Sequence, residues 1–167
     1  MNYLAHIYLS GEDPNLIIGN FIADFVKGND YQLYPIEIQK GILLHRSIDS
    51  FTDSHIQFKK SVSRLFPKHR HYSRVIVDMF YDHFLATNWE DYSQISLEDY
   101  SANFYSLISE NFEILPGEVQ GFFPYMVKHN WLVSYSDVHG LKRILSQMDR
   151  RTTYNSNMQK AVEDLNN

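Results

Sequence analysis

Apolar residues recur every three or four positions through most of this chain, with polar residues between them. The spacing is clear in two stretches, Leu16, Phe21, Phe25 and Val75, Met79, Phe80, Phe84. This period is that of an amphipathic α-helix rather than of a strand. No Asn-Gly or Asp-Gly turn joins alternating runs, as it would in a β-hairpin. The pattern therefore predicts an all-α protein.

Glycine and proline mark the predicted ends of the helices. Breaks fall at 11–14, 28–35, 67, 116–117 and 140, where these residues occur. Between the breaks the pattern predicts about seven helices, at 15–26, 36–50, 55–65, 71–84, 97–111, 118–130 and 138–147. The polar segment 152–167 is either a short helix or a frayed end. Because the 167 residues contain no repeat or linker, we expect a single helical domain, 1–167.

Composition narrows the chemistry open to such a domain. The chain has no cysteine, which excludes disulfides, thiolate nucleophiles and cysteine-ligated zinc. A net charge of −5 disfavours binding to nucleic acid. No apolar run approaches the ~20 residues that span a bilayer, and Met1 to Ser10 include no basic leader segment. We therefore expect a cytoplasmic protein with neither nucleic acid nor membrane as a partner.

The segment 59–74 is strongly basic on an otherwise acidic chain. It contains no acidic residue, two histidines and six cations, which are Lys59, Lys60, Arg64, Lys68, Arg70 and Arg74. Two interpretations are open: a positive surface that attracts an acidic partner, or simply a solvated helix and loop.

Two predicted helices bring imidazoles and carboxylates together. His45 and Asp49 are four positions apart and therefore share one helix face. Asp78 and Asp82 have the same spacing, and His83 follows the second of them. Any single pair of this kind is commonly a solvent-facing pair or a buried hydrogen bond.

Two further ionisable residues lie in apolar runs. Asp24 has Phe, Ile and Val neighbours and follows Asn20 by one turn on the same helix face. His6 lies in the apolar run from Tyr3 to Leu9, where a lone histidine is usually a core residue. Burying several carboxylates normally requires a metal or strong cationic partners. As a set, these residues therefore predict a shell of metal ligands.

Such a cluster favours hydrolase chemistry. Imidazoles and carboxylates together can bind a divalent ion, which lowers the pKa of water and polarises a phosphoryl oxygen. A glycine-rich phosphate loop and a Gly-x-Ser-x-Gly nucleophile elbow are both absent from the sequence.

Four segments give the chain a resemblance to a known family. They are MNYLAH at 1–6, GNFIADFVKG at 19–28, GILLHRSIDSFTD at 41–53 and DMFYDHFL at 78–85. In their order and spacing they resemble the acyl carrier protein phosphodiesterases, which implies a helical fold like that of the HD-domain phosphohydrolases. It also implies manganese-dependent conversion of holo acyl carrier protein to the apo protein and free 4'-phosphopantetheine. Members of the family commonly continue past the position of Asn167 with a further helical tail. We expect this tail to be missing here.

The resemblance implies a set of functional residues: His6, Asp24, His45, Arg46, Asp49, Asp53, Asp78, Asp82 and His83. The Asp82-His83 order is the reverse of that in ordinary HD proteins. As metal ligands we predict His6, Asp24, His45, Asp82 and His83, and as catalytic residues Asp24, Arg46, Asp49 and Asp78. The ion is predicted to be Mn²⁺, with Mg²⁺, Fe²⁺ and Zn²⁺ as alternatives.

Several roles stay open at this stage. Arg46 is either a bidentate anchor for a phosphate oxygen or an ion-pair partner of Asp49 or Asp53. Asp49 and Asp78 either orient ligand histidines or accept a proton. The basic segment 59–74 is a candidate docking surface for the acidic carrier protein.

Two other functions compete with the carrier-protein reaction. One is hydrolysis of a small nucleotide or other phosphoester at the same metal site. The other is a non-catalytic helical binding module, in which the histidine and aspartate cluster is structural.

Overall fold

The computed structural model describes residues 3–149 and 157–165. In these residues the chain forms α-helices and short 3-10 segments and no strand, which confirms the predicted all-α class. The helices are α1 (Tyr3–Leu9), α2 (Pro14–Ile22), α3 (Ile36–Ser54), α4 (Ile56–His69), α5 (Ser73–Thr87), α6 (Leu97–Glu110), α7 (Gly117–Lys128), α8 (Trp131–Ser134) and α9 (Val138–Asp149).

Seven of these helices correspond to predicted ones, and α1 and α8 are additional. Helix α1 has 7 residues, and the carboxylate of Asp82 accepts hydrogen bonds from its Leu4 and Ala5 N–H groups at 3.0 and 2.8 Å. Helix α8 has only 4 residues. Helices this short are stabilised by tertiary contacts rather than by a local periodic pattern, so the sequence pattern did not indicate them.

The predicted helix ends differ from the observed ones at two informative places. Helix α2 ends at Ile22, and the chain continues as a 3-10 turn, Ala23–Phe25, which turns Asp24 out of the helical register. The predicted break at Pro67 is wrong, because α4 continues through it to His69. Part of the polar segment 152–167 lies outside the described residues, and within it Met158–Asp164 forms a 3-10 helix.

Helices α2 and α3 pack backbone against backbone. Gly19 and Gly41 face each other at the crossing, and a Cβ atom at Gly19 would collide with the carbonyl oxygen of Ile38. At Gly41 an added Cβ would lie 2.5 Å from the carbonyl oxygen of Leu16. The absence of both side chains therefore lets the two helices approach closely, and it brings Asn20 beside His45.

In the core, Phe21 of α2 packs against Phe104 of α6 and against Phe122 and Phe123 of α7. The aromatic side chains of Trp89, Tyr105, Phe122 and Phe123 are buried there. Trp131 is partly buried and stacks on Phe122. Among the described residues, no helix has the length and apolar character needed to cross a membrane.

Candidate active site

Three of the predicted residues converge at one place. In the described part of the chain, His6, His45 and Asp49 form the group whose possible ligand atoms all lie within 4.8 Å of one another. Asp49 Oδ1 lies 3.2 Å from His6 Nε2, and Asp49 Oδ2 lies 3.2 Å from His45 Nε2. The two imidazole rings stack with their centroids 4.0 Å apart. Both rings are buried, whereas the Asp49 side chain is 53% exposed, so the group opens to solvent at its carboxylate.

Asp24 contacts this group from the 3-10 turn that follows α2. Its Oδ1 atom lies 3.2 Å from His45 Nε2. The expectation that its apolar neighbours enclose it is wrong, because its side chain is 36% exposed. The end of α2 at Ile22 explains this, since the 3-10 turn directs Asp24 away from the face that packs in the core.

The carboxylates dominate the electrostatics of the site. Burial alone would lower the pKa of His45, but hydrogen bonds to Asp24 and Asp49 outweigh burial and raise that pKa to about 9. Burial would raise the pKa of Asp49, yet hydrogen bonds from His45 and His6 hold it well below its usual range. Burial would also raise the pKa of Asp24, but the hydrogen bond to His45 and nearby positive charge together outweigh burial and lower that pKa. The site therefore favours positive charge at Nε2 of His45.

These atoms fit the coordination of a divalent ion. Ligands bound about 2.0–2.2 Å from one ion lie roughly 3.0–3.5 Å from each other in octahedral or tetrahedral geometry. Within the group, the two N–O separations between Asp49 and the histidines are each 3.2 Å, and the separation between Asp24 Oδ1 and His45 Nε2 is also 3.2 Å. Imidazole and carboxylate ligands without cysteine suit borderline to hard ions.

Asn20 and Ser10 complete the site, and the sequence did not identify either one as functional. Asn20 is buried, and its Oδ1 atom lies 2.9 Å from Nδ1 of both His6 and His45. Its Nδ2 atom donates to the Ser10 hydroxyl at 2.8 Å. The available signal was the position of Asn20, one turn before Asp24 on an apolar helix.

The structure places Asp82 and His83 outside the group of three. Asp82 is fully buried and caps the amino end of α1, the helix that carries His6. Burial raises the pKa of Asp82 to about 7, although its two backbone hydrogen bonds act in the opposite direction. The Nδ1 atom of His83 lies 2.7 Å from the carbonyl oxygen of Tyr135, next to α8. The bonds of both residues fasten helices, and their predicted role as ligands stays a prediction.

Asp78 lies beside the group without belonging to it. It is half-buried on α5, and burial raises its pKa to about 6, with the charges of Asp49 and Asp53 adding to the effect. A carboxyl with this pKa exchanges a proton near neutral pH.

Arg46 bonds to backbone carbonyl oxygens in the structure, and its predicted role as a phosphate anchor stays a prediction. Its Nη2 atom donates to the carbonyl oxygens of Val26 and Gly28 at 3.1 and 2.9 Å, and its guanidinium lies over the ring of Tyr31. It therefore fastens the loop after Asp24 to α3. The alternative ion pair is not formed, because Asp49 contacts the histidines and Asp53 pairs with Arg74.

The basic segment divides into paired and unpaired cations. Lys68 pairs with Asp164, and Arg74 pairs with Asp53. Within the described residues the others are exposed and form no ion pair; they are Lys59, Lys60, Arg64 and Arg70. We call these four residues the free basic patch. It lies on and just beyond α4, which packs against α3 and α5.

The fold and this site define an all-helical protein with a histidine and carboxylate cluster whose atoms are spaced as the ligands of a divalent ion are. Comparison with known families gives the specific assignment. The family model described as acyl carrier protein phosphodiesterase matches residues 1–167, the whole chain. The chain belongs to this family and is therefore a phosphodiesterase.

Individual relatives agree with the family match. The chain is 32% identical over 152 residues to the acyl carrier protein phosphodiesterase of Yersinia pestis. The aligned residues make up 90% of this chain and 79% of the relative. It is 29% identical over 166 residues to that of Photorhabdus laumondii, covering 99% of this chain and 84% of the relative. No solved structure matches the chain, so likeness to the HD-domain phosphohydrolases stays a prediction.

Proposed function

We propose that this protein hydrolyses the phosphodiester that links 4'-phosphopantetheine to a serine of holo acyl carrier protein. The oxygen of water bonds to phosphorus, the bond from phosphorus to the serine oxygen breaks, and that oxygen takes up a proton. The products are apo acyl carrier protein and free 4'-phosphopantetheine. The observation that carries the proposal is the convergence of His6, His45 and Asp49 in a chain of this family.

The proposed reaction depends on a divalent metal ion, for which Mn²⁺ is our first candidate. The Nε2 atoms of His6 and His45 would hold it together with Asp49, and Asp24 stands beside them. Such an ion supplies positive charge for the phosphoryl oxygens and lowers the pKa of water. Asp78 is our candidate for proton transfer, because its pKa of about 6 lies close to neutral pH.

The free basic patch is our candidate surface for docking of the carrier protein. Its cations are exposed on the flank of α4, and α4 packs against the two helices that carry Asp49 and Asp78. An acidic partner steered to this flank would arrive beside the site. Lys68 and Arg74 belong to the same basic segment but should contribute less to docking, because each already has an aspartate partner. The cytoplasmic location stays a prediction.

Intact-mass spectrometry of the carrier tests the reaction directly. Purified protein is incubated with holo acyl carrier protein and Mn²⁺, with and without a chelator, beside an Asp24→Ala variant. We expect loss of the phosphopantetheine mass with metal, and none with chelator or with Asp24→Ala. An unchanged carrier in every sample would reject the carrier-protein reaction.

Charge reversal tests the docking surface. Lys60→Glu with Arg64→Glu should lower kcat/KM for holo carrier protein roughly tenfold at low salt, and less at high salt. Lys142→Glu with Arg143→Glu is the matched control, because it makes the same charge change on exposed residues of α9. Equal losses in both double variants would show that only net charge matters, and no loss in either would place docking elsewhere.

A further inference from the structure

Asn20 lies at the centre of the hydrogen bonds that surround the two imidazoles. It is 1% exposed, and both polar atoms of its side chain are used. Oδ1 lies 2.9 Å from Nδ1 of His6 and 2.9 Å from Nδ1 of His45. Nδ2 lies 2.9 Å from the carbonyl oxygen of His6 and 2.8 Å from the Ser10 hydroxyl. One amide therefore connects α1, α2 and α3.

Backbone carbonyls determine which way this amide points. The carbonyl oxygen of His6 can only accept a hydrogen bond, so the atom that faces it must be the NH₂ group of Asn20. Oδ1 must then face the two imidazoles. The backbone oxygen of Asn20 gives independent support, because it lies 3.0 Å from Nδ1 of His45 and also only accepts.

The orientation of the amide fixes where the protons of the histidines lie. Since Nδ1 of each ring faces only acceptor oxygens of Asn20, Nδ1 must carry a proton in both His6 and His45. In each neutral ring the lone pair is then on Nε2. Both Nε2 atoms face Asp49, so the two lone pairs point toward the same place.

We propose that Asn20 is the positioning residue of this centre: one amide oxygen accepts both Nδ1–H groups and thereby presents both Nε2 atoms to a single divalent ion. The inference rests on the metal dependence in the proposed function. Hydrogen bonds to the outer nitrogen of metal-binding histidines set their tautomer and orientation, and their loss commonly lowers metal affinity about 10–100-fold.

A set of substitutions separates positioning from simple packing. Asn20→Leu keeps approximately the volume of the side chain and removes the acceptor. Asn20→Asp keeps an acceptor oxygen for both Nδ1–H groups but, like the leucine variant, loses the NH₂ group that bonds the His6 carbonyl oxygen and Ser10. Ser10→Ala removes two bonds of the same buried network, one accepted from Asn20 and one donated to the His6 carbonyl oxygen, but leaves both imidazole bonds in place. A purely structural role predicts similar effects for the leucine and aspartate variants.

The readouts are metal affinity and the histidine NMR signals, and neither requires the carrier protein. We expect Asn20→Leu to bind Mn²⁺ about 10–100-fold more weakly than the native protein and more weakly than either other variant. Asn20→Asp should lie between the leucine variant and the native protein, because it keeps the acceptor but loses the NH₂ bonds. In native protein loaded with Zn²⁺ and labelled with ¹⁵N at histidine, both His6 and His45 should show an Nδ1–H group and a metal-bound Nε2.

The outcomes separate this inference from the proposed function. An Nε2–H group on either ring of the zinc-loaded native protein would overturn the role of Asn20, as would native affinity in Asn20→Leu. If the leucine variant does not fold, the NMR signals of the zinc-loaded native protein decide alone, and an Nε2–H group on either ring overturns the role. A native protein that binds neither ion would reject the metal dependence itself, and with it this inference. Metal binding without hydrolysis of the carrier would reject only the reaction.

Discussion

Two buried histidines of this chain, His45 and His69, each direct Nε2 at aspartate, but the balance of charge around them differs. His69 Nε2 lies 3.0 Å from Asp164, and Lys68 pairs with the same carboxylate. His45 instead faces two carboxylates, Asp24 and Asp49. The His69 cluster (His69, Lys68 and Asp164) thus supplies a permanent cation for its single aspartate. Among the described residues, the His45 cluster (His45, Asp24 and Asp49) has no lysine or arginine paired with either aspartate.

The comparison shows why similar residue types serve different purposes. At Asp164 the charges already balance within the chain, so the cluster can tie the carboxyl-terminal 3-10 helix to α4 without any ligand. At His45 the excess of carboxylates has no lysine or arginine partner among the described residues, and protons on imidazole or a bound cation would offset it. Uncompensated negative charge beside buried imidazoles favours a bound cation.

The largest expected difference is in catalysis. His45→Ala should lower the rate of apo carrier formation on the order of 10³-fold, because it removes a ligand atom from the proposed metal site. His69→Ala should leave that rate within about twofold at temperatures where the variant is folded, since His69 contacts only the other cluster. The measurement is kcat/KM with bound Mn²⁺ quantified in parallel. Comparable losses in the two variants would remove the distinction between the clusters.

The next effect concerns the α2–α3 helix pair that supports the His45 cluster. Gly19→Ala should lower the free energy of unfolding by about 3 kcal/mol or more, because the added Cβ collides with the backbone of α3. Gly121→Ala is the matched control within a helix. Nothing lies within 4 Å of its Cβ position, so it should be neutral or stabilise by about 0.5–1 kcal/mol.

Urea unfolding measures both glycine variants, and Mn²⁺ affinity supplies a second comparison. We expect Gly19→Ala to weaken metal binding as well, because the α2–α3 crossing holds Asn20 against His45. A stable Gly19→Ala protein with native metal affinity would show that the site does not depend on this close approach.

The parts of this site that the sequence predicted are the local ones. His45 and Asp49 were placed on one face from their spacing alone, and the structure joins them at 3.2 Å. The all-α class and seven of the helices followed from periodicity. The family resemblance then pointed to functional residues on different helices. No periodic pattern specifies which of these residues meet in space.

The parts that the sequence did not predict depend on contacts between distant residues. Asp82 caps α1, a helix that begins at Tyr3, 79 positions earlier in the chain. Asn20 reaches His6 across 14 positions and His45 across 25. A buried asparagine in an apolar helix has many possible partners, and only the close α2–α3 packing decides which of them it meets.

A further expected difference is in the dependence of stability on pH after the metal is removed. The folded-state pKa of His45 is about 9, above its ordinary value of 6.5, because Asp24 and Asp49 stabilise the imidazolium. A raised pKa of this kind contributes stability that is fully present below about pH 6.5 and is lost as pH rises through about 9. The contribution should reach roughly 2–3 kcal/mol at its maximum.

Urea unfolding between pH 6 and pH 10 measures this contribution, and His45→Gln is the control that lacks it. Metal-free native protein should lose stability across that range more steeply than the variant. Added Mn²⁺ should flatten the native curve, because the ion takes the place of the proton at Nε2. Parallel curves for native protein and His45→Gln would contradict the charge balance inferred for this cluster.

The smallest expected effect comes from the His69 cluster. Hydrogen bonds from Lys68 and His69 lower the pKa of Asp164, so its contribution to stability is present above about pH 4 and is lost as pH falls. Asp164→Asn should therefore cost only about 1 kcal/mol near neutral pH, because Lys68 is exposed and solvent screens the pair. Asp91→Asn, at an exposed carboxylate, should cost nothing measurable.

Asp164→Asn also decides whether the two clusters are independent. Asp164 pairs with residues at the carboxyl end of α4, whereas the metal ligands proposed here lie on α1, α3 and the turn after α2. The variant should therefore keep native Mn²⁺ affinity and native turnover of holo carrier protein. If metal affinity falls together with stability, the contacts of Asp164 with the end of α4 affect the geometry of the metal site. The carboxyl-terminal 3-10 helix would then support catalysis as well as the fold.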